Sequence, residues 1–131
     1  MSKTRHILLA HAQRATRSIL SEALKDEGYS VTQVGDGVDL VDELRANEDA
    51  FDVVVSAVEL PECSGMDVLE ELREQGDEVP FLLLNSSEED CTLQADALDA
   101  NVLDAPYEVD DLIAAVAALL QERQSGTGNA A

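Results

Sequence analysis

The sequence predicts a single α/β domain in which a parallel five-stranded sheet carries helices on both faces. Short apolar segments of strand length alternate with segments of helical periodicity, five such units follow one another, and residues 53–57 are apolar almost throughout. Alternating strands and helices imply parallel strands joined by right-handed crossovers. A continuously apolar strand suits a sheet that is covered on both sides. At 131 residues, the chain is long enough to bury one core without a disulfide or a metal.

The first two units occupy the N-terminal part of the chain. Residues 6–10 form the first apolar strand, and the helix after it ends at Gly28, a residue typical of a helix C-cap. Residues 30–34 alternate apolar and polar side chains, as expected of the second strand. Asp36 and Gly37 then open the second helix, with Asp36 as its cap.

The third and fourth units follow the same order. Residues 53–57 form the third strand, and Ser64 with Asp67 makes a variant capping box for the next helix, which Gly76 ends. Residues 80–84 form the fourth strand. The segment Ser86-Ser-Glu-Glu89 is a second capping box and predicts that the fourth helix begins there.

The last unit and the C-terminus complete the predicted domain, which spans residues 1–123. Residues 102–105 form a short fifth strand, and residues 110–123 form a helix with one apolar stripe. Residues 124–131 are rich in Gly, Ser and Asn, a composition that predicts a flexible tail or the stub of a linker.

Charge excludes one class of partner. The chain has 28 Asp and Glu against 8 Lys and Arg, for a net charge of -20. A polyanion repels a phosphate backbone, so we expect no direct binding of nucleic acid. Acidity with so few lysines is typical of proteins from salt-in halophiles, where molar salt shortens the screening length to about 3 Å. An ordinary acidic protein of a mesophile is the alternative.

The cysteines and the N-terminus indicate the compartment. Cys63 and Cys91 have neither the spacing of a zinc site nor the number for a disulfide framework, so isolated thiols in a reducing environment are expected. The sequence shows no signal peptide, and no apolar run approaches the length of a membrane span. We therefore expect a cytoplasmic protein without membrane contact.

In an open parallel sheet, functional residues gather at the carboxyl ends of the strands. A loop punctuated by Pro61 and Gly65 follows the third strand. The residues at or just after the predicted strand ends are His11, Ala12, Ala57, Asn85, Ser86 and Ala105.

This arrangement resembles the receiver domain of two-component response regulators over nearly the whole chain, from His6 to about Arg123. The resemblance implies a flavodoxin-like fold with strand order 2-1-3-4-5. Receivers carry a pair of magnesium-binding acids after the first strand, where this chain has His11 and Ala12. They carry the phosphate-accepting aspartate at the end of the third strand, where this chain has Ala57.

Further positions of the resemblance also depart from the family pattern. A Thr or Ser that follows the phosphoryl group is replaced by Asn85, with Ser86 beside it, and the family lysine is replaced by Ala105. The aromatic switch position holds Val102. Glu59 occupies a position that contributes a backbone carbonyl in receivers, so its side chain is expected to face solvent. The family usually has a cis bond before the proline at the Pro106 position, and we expect one here.

These substitutions predict a domain that carries no phosphate. An imidazole and two methyl groups, at His11, Ala12 and Ala57, offer magnesium no hard anionic oxygen. Without a carboxylate at Ala57 and a cation at Ala105, an acyl phosphate has neither nucleophile nor charge neutralisation. We therefore expect no enzymatic activity, no catalytic residue, no bound metal and no cofactor.

The favoured interpretation is a pseudo-receiver that binds a protein partner without phosphorylation. The resemblance points to the face built from the fourth helix, fifth strand and fifth helix, at residues 88–99, 102–105 and 110–123. A kinase, a regulator, an output protein or a second copy of the chain is the expected partner.

Two alternatives stay open. The first is a receiver with residual or non-standard phosphorylation, for which Ser56 and His11 are the candidate residues. We expect the Ser56 hydroxyl to turn away from the cleft, because successive side chains of a strand point to opposite faces. The second is a flavodoxin-type binder of a small ligand. Such sites use a glycine-rich loop after the first strand, whereas residues 11–15 supply no glycine and one basic residue, Arg14.

Overall fold

A computed structural model describes residues 4–47, 50–87 and 89–129, with side chains to residue 121. Strands and helices alternate along these residues, and the strands form one parallel sheet of order β2-β1-β3-β4-β5. The predicted fold class and strand order are confirmed. The elements are β1 (His6–Ala10), α1 (Arg14–Asp26), β2 (Ser30–Val34), α2 (Gly37–Ala46), β3 (Val53–Ala57), α3 (Gly65–Glu74), β4 (Phe81–Asn85), α4 (Thr92–Ala97), β5 (Asn101–Asp104) and α5 (Val109–Asn129).

The sheet separates two apolar cores because successive side chains of a strand point to opposite faces. In β3, for example, Val54 belongs to the core under α2, α3 and α4, whereas Val53 and Val55 belong to the core under α1 and α5. Every residue of β3 and of β4 is buried. The two central strands are therefore covered on both sides, as their apolar sequences predict.

Local signals set several helix boundaries. The Asp36 carboxylate accepts a hydrogen bond from the Asp39 N–H at 2.7 Å, and the Ser64 hydroxyl accepts one from the Asp67 N–H at 3.0 Å. Each cap satisfies an amide that has no partner inside its own helix. Gly28 follows α1 with a φ of 96°, a conformation that glycine adopts without steric cost.

The predicted start of the fourth helix is wrong. Helix α4 begins at Thr92, and residues 86, 87 and 89–91 are irregular. The Ser87 hydroxyl accepts from the Glu89 N–H at 2.9 Å, and the Asn85 side chain accepts from the Ser87 N–H at 3.1 Å. These local bonds satisfy backbone amides without a helix. Residue Glu88, which is part of the predicted interaction face, lies outside the described residues.

The remaining boundaries differ little from the prediction, apart from the C-terminus. Strands β4 and β5 are each displaced by one residue, which is within the ordinary uncertainty of an element's end. Helix α5 continues through residue 129, beyond the domain end predicted at residue 123, and residues 130 and 131 lie outside the described part. Over the described residues, no helix has the length and apolarity to cross a bilayer. Cys63 and Cys91 are both free thiols.

Candidate functional site

The carboxyl ends of the central strands open onto a cleft of about 560 Å³. Five predicted site residues meet in its wall, and these are His11, Ala12, Ala57, Glu59 and Ser86. The other lining residues are Gln13, Leu60, Pro61, Ser64, Leu84 and Tyr107. The predicted positions Asn85, Val102 and Ala105 are not part of this lining.

Ala57 is the last residue of β3, and its methyl group contributes to the apolar part of the cleft wall. Only 8% of the residue is exposed. The backbone around it is fixed on two sides, because the Val58 N–H donates to the Leu84 carbonyl at 3.0 Å and the Gly65 N–H donates to the Val58 carbonyl at 2.8 Å. The end of β3 is therefore held rigidly against β4 and the start of α3.

His11 contributes a neutral imidazole to the cleft. Its Nδ1 accepts a hydrogen bond from the Gln13 N–H at 3.1 Å, so this nitrogen carries no proton. Burial, and secondarily the charge of Arg17, lower the pKa of His11 below its ordinary value. The guanidinium of Arg17 also donates to the His11 carbonyl at 2.7 Å, which fixes the backbone at the end of β1.

Asn85 ends β4, is 3% exposed, and connects three segments. Its amide nitrogen donates to the Glu89 carbonyl at 2.8 Å and to the Asp104 carboxylate at 3.0 Å. Its amide oxygen accepts from the Ser87 N–H at 3.1 Å. The side chain is therefore engaged with the β4–α4 loop and the end of β5. The sequence marked Asn85 as a site position but did not predict these contacts.

The segment after β5 carries a lining residue that the sequence analysis did not select. The Ala105–Pro106 peptide bond is cis, the geometry that the resemblance predicts. Ala105 is exposed, and its N–H donates to the Asn85 carbonyl at 2.8 Å. Tyr107 follows and lines the cleft, where burial raises the pKa of its phenol. The sequence signal that could have identified Tyr107 was an aromatic residue directly after the predicted cis proline.

The cleft does not fit the magnesium ion that the resemblance implies. Among its lining residues, Glu59 has the only carboxylate, and this residue is exposed. The Ser64 hydroxyl is already engaged as the cap of α3. Magnesium requires near-octahedral coordination by hard oxygens, with carboxylates among the usual protein ligands. In the described part of the chain, no three His, Cys, Asp or Glu residues lie close enough together to hold a metal.

Comparison with known proteins identifies the family. The family model for the response regulator receiver domain matches residues 7–117 of this chain. The chain belongs to this family. The receiver domain is 35% identical over 126 residues to the response regulator MprA of Mycobacterium sp. (strain KMS), a match that covers 93% of this chain and 53% of that protein. The MprA protein of Mycobacterium tuberculosis is also 35% identical, over 88% of this chain and 50% of its own length. The chain thus spans about half the length of these relatives.

Solved structures show the same fold. A receiver domain protein from Clostridium thermocellum superposes with a TM-score of 0.85 at 20% identity, over 92% of this chain and 97% of that one. The signal receiver domain of a LuxO repressor protein from Vibrio parahaemolyticus gives a TM-score of 0.86 at 20% identity, over 95% and 96% of the two chains. A receiver domain of a response regulator is a signalling module.

Proposed function

We propose that this receiver domain acts as a protein-interaction module that works without phosphorylation of its cleft. The observation that carries the proposal is the methyl group of Ala57 at the end of β3, in the wall of the cleft. An acyl phosphate requires a carboxylate nucleophile, and a methyl group cannot form one. Transfer also requires positive charge beside the phosphoryl group, and the exposed Ala105 supplies none.

The contacts of Asn85 support an interaction surface whose conformation does not depend on phosphorylation. In the family, the residue at this position follows the phosphoryl group. Here its three hydrogen bonds hold the β4–α4 loop to the end of β5 instead. Val102, at the aromatic switch position, packs partly buried against the core under α4. We infer that α4, β5 and α5 present a constant surface to a kinase, a regulator or an output protein, through a domain formed by residues 1–123.

The geometry of Ser56 supports this proposal over non-standard phosphorylation. Its side chain is fully buried, and its hydroxyl donates to the Ala57 carbonyl at 2.9 Å. A Cβ atom added at Gly65 would lie 2.8 Å from the Ser56 oxygen, which places that hydroxyl beneath the start of α3. The Ser56 hydroxyl is not part of the cleft lining. The engaged Nδ1 of His11 likewise favours a structural role.

Intact-mass measurement after incubation with acetyl phosphate and Mg²⁺ tests the proposal. We expect the unmodified mass for the natural chain. The Ala57→Asp variant should also stay unmodified, because the metal acids and the lysine are still missing. A matched positive control combines His11→Asp, Ala12→Asp, Ala57→Asp and Ala105→Lys, and should gain one phosphoryl group. A phosphoryl adduct on the natural chain or on Ala57→Asp alone would overturn the proposal.

We further propose that the domain is adapted to high salt. Its support is the net charge of -20, because repulsion among the carboxylates destabilises the fold in dilute buffer and is screened at molar salt. The urea midpoint should rise steadily as KCl increases to molar concentrations. An unchanged midpoint from dilute buffer to molar KCl would contradict the adaptation.

A further inference from the structure

The charges of this chain are distributed unevenly. Asp and Glu occur throughout, but every Lys and Arg lies at or before Arg73, with the exception of Arg123. Residues 74–121 contain no Lys, Arg or His. This stretch supplies β4, α4, β5 and most of α5. This stretch of the chain therefore carries charges of a single sign, although Arg73 bonds the Leu98 and Asp99 carbonyls within it.

The fold brings this region to one edge of the molecule. Strand β5 is the edge strand next to β4. Helix α4 packs on one side of the sheet through Ala95, and α5 packs on the other through Leu112 and Val116. The two helices therefore flank β5, and together they form what we call the edge surface: α4, β5, and residues 105–121. Its exposed carboxylates include Asp96, Asp104, Glu108, Asp110 and Asp111.

The edge surface also exposes a large apolar side chain. Leu93 on α4 is 84% exposed, against 60% for Ile19 and 49% for Val38, the other large apolar residues with exposed side chains in the described part of the chain. A leucine on the surface is common by itself. Exposed Asp90 and Asp96 lie three residues before and after it in sequence, so Leu93 fits a partner that brings an apolar side chain together with cations.

A second copy of the chain does not match this surface. Two edge surfaces would place carboxylates against carboxylates, and like charges across an interface oppose association. Two arginines outside this surface and one beside it are engaged within their own chain. Arg45 pairs with Glu71 at 2.8 Å, Arg5 lies 3.8 Å from Asp52, and Arg73 donates to four backbone carbonyls.

We propose that the edge surface binds a Lys- or Arg-bearing segment of a different protein, which covers Leu93 with an apolar side chain, and that it does not pair with itself. The inference rests on the proposed interaction function and specifies the chemistry of the partner. Opposite charges steer the encounter, and the leucine adds buried apolar contact.

A labelled amphipathic peptide of Leu and Lys provides the probe, with fluorescence anisotropy at about 0.1 M KCl, where the screening length is about 10 Å. The test variant combines Asp96→Asn, Glu108→Gln and Asp110→Asn, which are exposed positions of the edge surface. The matched control, Glu22→Gln with Asp26→Asn and Asp42→Asn, removes the same charge from exposed positions of α1 and α2.

We expect the edge variant to weaken binding about tenfold and the control less than about twofold, since surface charge pairs each contribute modestly. Leu93→Ser should weaken binding several-fold without changing the net charge. Equal losses in the two triple variants would show attraction to net charge alone and overturn the proposal. Unchanged binding in Leu93→Ser would show that Leu93 makes no apolar contact with the peptide, and this result would also overturn the proposal.

Sedimentation velocity of the full chain tests whether a second copy of the chain binds the edge surface. We expect a monomer at low salt and at molar KCl. A dimer that Leu93→Ser dissociates would replace the proposed partner with a second copy. If the peptide does not bind as expected, the edge-surface proposal is wrong, but the intact-mass result is unaffected. If a phosphoryl adduct forms, the proposed function is wrong, but peptide affinity is unaffected. The two failures can therefore be told apart.

Discussion

Replacing Arg73 with lysine should reveal how much one half-buried guanidinium contributes to this fold. Arg73 on α3 donates to the carbonyls of Leu98 at 2.6 Å, Asp77 at 2.7 Å, Val79 at 3.0 Å and Asp99 at 3.2 Å. It therefore joins the end of α3, the entry to β4 and the end of α4. Burial lowers the pKa of Arg73, while the nearby acids, led by Asp99, raise it.

The magnitude follows from the number of hydrogen bonds that a lysine cannot make. A single ammonium nitrogen cannot reach carbonyls that the planar guanidinium spans with three separate nitrogens, so about three of the four bonds are lost. Each contributes about 0.5–1.5 kcal/mol net. We expect Arg73→Lys to lower the free energy of unfolding by about 2–4 kcal/mol.

Arg45→Lys is the matched control, because Arg45 is also a helical arginine but its side chain is 63% exposed in a single ion pair with Glu71. An exposed pair of this kind contributes about 0–1 kcal/mol. Urea unfolding followed by far-ultraviolet circular dichroism suits both variants, since the chain has no tryptophan for fluorescence. Equal destabilisation by the two substitutions would refute the argument that the four carbonyl contacts of Arg73 matter.

Three further predictions test other parts of the structure. Ser21→Ala should raise the free energy of unfolding by about 0.5–1.5 kcal/mol in the same assay, because the buried Ser21 hydroxyl has no hydrogen-bond partner among the described residues; a loss of stability would show a partner. Gly65→Ala should cost about 3 kcal/mol, since its Cβ would collide with the Ala57 carbonyl oxygen. Gly35→Ala should cost less, because its Cβ would meet only the far end of the Arg17 side chain, at 3.1 Å; similar costs would contradict this. The lowered pKa of His11 means that the unfolded chain binds the proton first as pH falls, so stability should decrease from about pH 6.5 down to the folded pKa. His11→Asn should remove this part of the pH dependence, and an unchanged difference between pH 7 and pH 5 would count against it.

Local patterns in the sequence were sufficient for the parallel α/β class, whereas the strand order came from the family resemblance. The alternation of apolar strands with helical periodicity predicts the parallel sheet, because both periods follow from backbone geometry. The caps at Asp36 and Ser64 are also local, since each side chain bonds an amide three residues later. The fourth helix was misplaced for a related reason. The hydroxyl of Ser87 bonds a nearby amide in the loop, and the sequence does not show whether such a bond begins a helix or replaces one.

The sequence by itself therefore determined the order of the elements, the two-sided core and the chemical identity of the residues at the strand ends. Only the tertiary structure decided which of those residues share the cleft and what Asn85 and Arg73 hold together. The bonds of Arg73 to Leu98 and Asp99 join residues about 25 positions apart, and the bond of Asn85 to Asp104 joins two strands. Such contacts leave no periodic signal in a sequence, because they depend on the relative positions that packing gives to whole elements.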